Sequence, residues 1–214
     1  MVTFFQTKLQ ITIMSCTTKS LYKSIEACPG KKILPGIRRR LYYKNRRAIA
    51  AFPKLPDADD ENVNDMAQLA QYQGDFTLAA EEYWQFIDLK DEASNVTFEP
   101  VGEDPSQLYS NQANAIVAGQ DDEVKGFARQ ALNDDIVYVY QDRSKKFCVL
   151  GNEAFKCHTK PSGDTAAEAT SAITTTFAIQ VYDECPVPTY TGKLMLSATT
   201  YIDCADGEEK TVNA

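Results

Sequence analysis

Three pairs of adjacent carboxylates, Glu81-Glu82, Asp121-Asp122 and Asp134-Asp135, are the residues of this chain best suited to general acid–base work. Each has a simpler role in its local context. Glu81-Glu82 falls on a sheet bulge or surface, Asp121-Asp122 opens a helix whose positive end welcomes acids, and Asp134-Asp135 lies in a turn leading into a strand. The single histidine, His158, stands beside Cys157, and one such neighbour pair falls short of a metal-ligand pattern. Cys16, Cys28, Cys148, Cys157, Cys185 and Cys204 form no C-x-x-C pair. They read mostly as free thiols of a reducing compartment, although an even number would permit disulfides. No phosphate-binding glycine loop, dinucleotide fingerprint, zinc-binding H-E-x-x-H or nucleophile elbow occurs. An enzymatic role, a cofactor and a metal site are therefore not expected.

Interaction chemistry is concentrated elsewhere. Arg38, Arg39 and Arg40 are followed by Tyr42 and Tyr43 and then by Arg46 and Arg47, an interleaving of basic and aromatic residues suited to nucleic acid. Residues 1–54 hold 12 of the 22 Lys and Arg but only one acid, Glu26, for a net charge of +11, so the remainder carries -19. A basic segment on an acidic body can bind nucleic acid, lie on an anionic membrane, or dock on the acidic face of another copy. The third reading is preferred. So acidic a body repels phosphate, and every other subunit supplies the complementary surface. Residues 1–56 are thus read as an extended basic arm, with Ile33, Leu34, Ile37, Arg38, Arg39, Arg40, Leu41, Tyr42, Tyr43, Arg46 and Arg47 at a subunit interface. Residues 57–214 are read as an acidic, β-rich domain, and removal of residues 1–54 is expected to abolish assembly while leaving that body folded.

At 214 residues and 23.8 kDa the chain is long enough for one good core with an appended arm. Residues 1–13 are too short and too interrupted, by Lys8, to span a bilayer, and Met14 is an alternative start. Ile13-Met14-Ser15-Cys16 faintly resembles a lipoprotein cleavage site, so a surface lipoprotein modified at Cys16 is an alternative. No membrane insertion is expected.

The elements that position these residues are mostly strands. The segment 133–152 is the most legible. Ile136, Tyr138 and Tyr140 alternate with Val137 and Val139, so both faces are apolar, as in a strand covered on both sides. Residues 142–146 then form a polar turn, and Phe147 to Leu150 returns as a second strand. Val124, Phe127, Ala128, Ala131 and Leu132 recur at helical spacing and predict a helix over 121–133. Ile173, Phe177, Ile179 and Val181 alternate with polar residues and predict a half-buried strand over 173–182. Residues 76–89 read as one long strand with a bulge near Glu81 and Glu82, 95–98 and 113–118 as shorter strands, and 193–202 as a last strand. Residues 57–73, 104–112 and 152–172 read as loops, the first with one helical turn, and the final ten residues as frayed.

From Gly74 to Gly192 the order of elements resembles the tail-tube family of long-tailed bacteriophages, including virion proteins of phages of gut Bacteroidetes. The resemblance rests on F-x-L and Trp-Gln-Phe, then V-G-E and a loop, a short strand, the amphipathic helix, and V-Y-V-Y-Q-D-R-S-K-K-F-C-V-L-G. It covers a little over half the chain. It implies an antiparallel β-sandwich or half-barrel flanked by one helix, mainly β overall. It also implies a virion structural protein, assembled in the host bacterial cytoplasm. Its partners would be itself, commonly as a hexameric ring stacking into a tube, and other tail or neck proteins. DNA would pass through the lumen without specific binding. The turn residues Asp142, Arg143, Lys145 and Lys146 would touch a stacked ring.

Overall fold

A computed structural model describes residues 19–168 and 170–212. Among them the strands are β1 (Ile37–Asn45), β2 (Ile49–Ala51), β3 (Gln71–Tyr72), β4 (Thr77–Leu78), β5 (Gln85–Asp88), β6 (Asn95–Val101) and β7 (Leu108–Ala118). The helix α1 (Asp122–Ala131) follows. The chain continues with β8 (Ile136–Asp142), β9 (Phe147–Leu150), β10 (His158–Asp164), β11 (Thr174–Asp183), β12 (Thr189–Tyr190), β13 (Lys193–Met195), β14 (Thr200–Asp203) and β15 (Glu208–Thr211). The fold is mainly β, with several antiparallel sheets and one α-helix, as the strand periodicities predict.

Everything is arranged about β8. It lies inside a six-stranded sheet ordered β3-β12-β9-β8-β1-β5, antiparallel except where β12 meets β3. Ile136, Tyr138 and Tyr140 enter a core shared with the four-stranded sheet β10-β11-β7-β6 and with Val124, Phe127 and Ala128 of α1. Val137 and Val139 enter a second core on the opposite face, among Tyr72, Phe76, Trp84, Phe147 and Tyr190. A strand without a polar face cannot sit at a solvent boundary, and each fully buried Val contributes about 1.5–3 kcal/mol against exposure. Gly151, at φ +135°, lets the chain turn out of β9 where a Cβ would lie 3.1 Å from Val137.

The helix starts where the sequence places it. Asp121 caps it by accepting from Val124 N at 3.2 Å, and Asp122 and Glu123 occupy its first turn. Its stripe is one residue narrower than the periodicity suggests, because Leu132 is the helix's C-cap and is left exposed.

Several expectations are corrected. Residues 37–51 are not part of a peripheral arm: β1 is hydrogen-bonded between β8 and β5. Residues 76–89 do not form one bulged strand, because Glu81 takes φ +61° and turns the chain, sending β4 to pair with β2 and β5 to pair with β1. Residues 108–112 belong to β7 rather than to a loop. The 152–172 segment contains β10, an edge strand that accommodates Pro161 because its outer side needs no donor. Residues 193–203 form a hairpin, and 208–211 add β15 to it in place of a frayed end.

Candidate assembly surface

The residues expected on an interface arm divide sharply. Leu41, only 2% exposed, and Tyr42 are core residues, and Ile37 is buried. Tyr43 packs its ring 4.9 Å from that of Phe127 on α1. Arg46 donates to Asn152 O at 2.9 Å, approaches Asp135 at 3.8 Å and lies over the Phe52 ring, while Arg47 reaches Asp134 at 3.2 Å. These six residues build the body, and assigning them to an arm is wrong. A run of basic residues looks like a composition boundary, yet β1 exposes Arg38, Arg39 and Arg40 at its start, buries Lys44, and places its apolar groups in the two cores.

At the start of β1 the arginines do reach the surface. Arg39 pairs with Asp91 at 2.8 Å, and this hydrogen bond holds the Asp91 carboxyl below the usual carboxylate range. Arg40 reaches Asp88 at 3.3 Å and lies 3.9 Å above the Phe86 ring. Arg38 is exposed and has no charged partner among the described residues. Register brings the 142–146 turn to the same place, since Ile37 pairs with Asp142 and Arg143 N donates to Gly36 O at 3.4 Å. Arg143 also reaches Asp91 at 3.4 Å and Glu92 at 3.5 Å. The turn is closed by Lys146 N donating to Asp142 Oδ1 at 2.8 Å, with Lys145 at φ +74°. Lys145 and Lys146 project into solvent. Two sets of basic residues about a hundred positions apart thus share one end of the six-stranded sheet.

Upstream of that end, residues 19–36 form an extended strap without strand pairing. Its beginning is tethered by charge: Lys19 N donates to Asp59 at 3.0 Å, Lys19 Nζ to Val63 O, and Lys23 pairs with Asp65. Its apolar side chains point outward. Tyr22 is 92% exposed, Ile25 85%, Ile33 81% and Leu34 50%.

The outer face of the four-stranded sheet is not evident from the sequence. Ala113, Ala115, Val117, Phe177, Ile179 and Val181 face the core, so the alternate residues face outward. Register aligns Thr97, Gln112, Gln180 and His158 in one row and Asn95, Asn114, Ala178 and Lys160 in the next. Gln112 donates to Glu99 at 2.9 Å, and both Gln112 and Gln180 reach Ser110 Oγ, at 3.1 and 3.0 Å. The result is an amide- and hydroxyl-rich surface with few charges. Alternation in β11 was visible beforehand. Its partner rows depend on pairing between distant strands.

Two of the carboxylate pairs have partners within the fold. Glu82 accepts from the buried Lys44 ammonium, whose other partner is Tyr83 O at 2.8 Å, and Asp135 Oδ1 accepts from Cys157 N at 3.0 Å. Cys28, Cys148, Cys157, Cys185 and Cys204 are free thiols, and burial pushes Cys148 up to about 11. Cys157 is buried while the adjacent His158, the first residue of β10, is exposed. Among the described residues no group of three or more potential ligands could hold a metal, and no helix is long and apolar enough to cross a membrane. Cys16 and the lipoprotein-like sequence around it lie outside the described residues. No protein family, curated protein or solved structure matches this chain.

Proposed function

We propose that this protein is a self-assembling structural protein, a tail-tube-like component of a bacteriophage virion that forms rings or a tube in the tail or neck. The observation that supports self-assembly most directly is the strap, whose four large apolar side chains stand in water. In a lone subunit, exposing Tyr22, Ile25, Ile33 and Leu34 together brings no benefit, whereas against a neighbour each becomes buried area. The tail-tube assignment itself rests on the sequence resemblance and on a mainly β fold with one helix.

In this reading the amide-rich outer face of the four-stranded sheet lines the lumen. It lacks a Lys or Arg cluster, so passing DNA would release few counterions on contact and would not be held. Asparagine, glutamine and threonine side chains exchange hydrogen bonds with water at little cost. The lateral edges β6 and β10 then face neighbouring subunits, although Pro100 and Pro161 each remove one donor and shorten any pairing there. The tail-tube type of the ring and its sixfold symmetry rest on the sequence resemblance alone. A nucleic-acid-binding role through the arginines draws less support, because Arg39, Arg40, Arg46 and Arg47 already pair with aspartates.

Negative-stain microscopy of the purified full chain tests this reading. Rings or tubes with a central channel are expected; a monodisperse monomer at high concentration would overturn it.

A further inference from the structure

A groove of about 290 Å³ opens at the opposite end of the sheet from the strap's exit. Its walls are Phe52, Leu55 and Phe155, all half-buried, and its acids are Glu153, Asp183 and Glu184, with Lys54 also lining it. Asp183 is 4% exposed, and its Oδ2 has no hydrogen-bond partner among the described residues. Apolar walls beside an excess of carboxylates suit a segment in which aliphatic side chains adjoin cations. Among the described residues, Lys31-Lys32-Ile33-Leu34 is a segment of this kind standing in solvent with no charged partner for either lysine.

We infer that this groove receives residues 31–34 of a second copy, with Ile33 and Leu34 against Phe52, Leu55 and Phe155 and the lysines beside Glu153 and Glu184. Geometry rules out the same chain's own segment. The strap joins β1 at Ile37, whereas the groove lies beyond its other end, where Arg46 reaches Asn152, itself in the groove lining. Nine residues of strand separate the two ends, roughly 26 Å. Leu34 and Ile33 lie three and four residues before Ile37 and reach at most about 11 and 14 Å from it. The contact therefore joins one end of a subunit to the opposite end of the next, a head-to-tail interface that propagates as a stack. Complementary charge fixes its direction, since strap and groove have opposite signs.

This inference deepens the assembly reading and can fail separately from it. In a background with Cys16→Ser and Cys28→Ser, Leu34→Cys is placed in an untagged chain and Ala154→Cys, at the exposed groove rim, in a size-tagged chain. Mixing them with a short bismaleimide should give a band of the summed mass, well above that from a control with Ala198→Cys, exposed and outside the proposed contacts, in place of Leu34→Cys. Glu153→Lys with Glu184→Lys in the tagged chain should cut that band at least tenfold. Adding Lys31→Glu with Lys32→Glu to its partner should restore it. A yield no higher than the control overturns the inference, as does a crosslink confined within one chain when both cysteines are on the same molecule. Rings without the crosslink would sink the groove assignment alone, whereas the crosslink without rings or tubes would sink the tube reading alone.

Discussion

Two neighbouring stretches, residues 19–36 and β1, each mix four basic residues with several large apolar ones and have opposite fates. In β1, Leu41 and Tyr42 point to opposite faces, and both faces are covered because β8 on one side and β5 on the other hold the strand in register. In the strap, Pro29-Gly30 and Pro35-Gly36 interrupt any ladder, Gly30 and Gly36 take positive φ, and the apolar side chains find nothing to cover them. Charge and apolar residues do not separate the two, whereas the Pro-Gly pairs of the strap do. The decisive difference is whether a hydrogen-bonding partner lies on each side, and that belongs to the tertiary fold rather than to local sequence.

The largest effect should come from cutting on either side of Ile37. Deleting residues 1–54 removes a central strand, so the truncated chain should lose its cooperative urea transition, contrary to the expectation drawn from charge alone. Deleting residues 1–34 should leave that transition in place. At the level of single residues, Leu41→Ala should destabilise the fold by about 2–5 kcal/mol in urea unfolding. Leu34→Ala should shift the unfolding midpoint within error while weakening assembly.

A subtler contrast concerns Asp183, at the groove. Burial raises its carboxyl pKa above the ordinary 3.8, so the folded state holds a proton that the unfolded chain has lost in the interval above 3.8. Stability therefore falls as pH rises through that interval. Asp183→Asn removes this titration, and its stability relative to the native chain should increase as pH is raised from 3.8, measured as paired urea midpoints. The smallest effect is expected at the turn. Lys145→Ala and Lys146→Ala should change stability by no more than about 0.5 kcal/mol, since both are exposed and neither ammonium is paired.

The legible parts of the sequence are those where one local pattern suffices. The 136–150 hairpin declared its double burial because both phases are apolar, and α1 declared itself through a capping aspartate and a spaced stripe. The strand β10 was hidden by Pro161 and Gly163, residues that usually mark loops and are tolerated here only because the strand lies at a sheet edge. Glu81 gave no sign that it would take a left-handed turn, since nothing short of the competing pairings of β4 and β5 requires it. The polar sheet face was invisible for a related reason: Thr97, Gln112, Gln180 and His158 become a row only once three strand registers are fixed.

The central claim is that residues 19–36 serve assembly while the residues that follow serve the core. It is tested most directly by sedimentation of the full chain and of the chain lacking residues 1–34, each with its urea midpoint. Large assemblies for the first, and for the second a folded protein with an unchanged midpoint that no longer forms them, are predicted. Equal assembly by both, or an unfolded truncated chain, would contradict it.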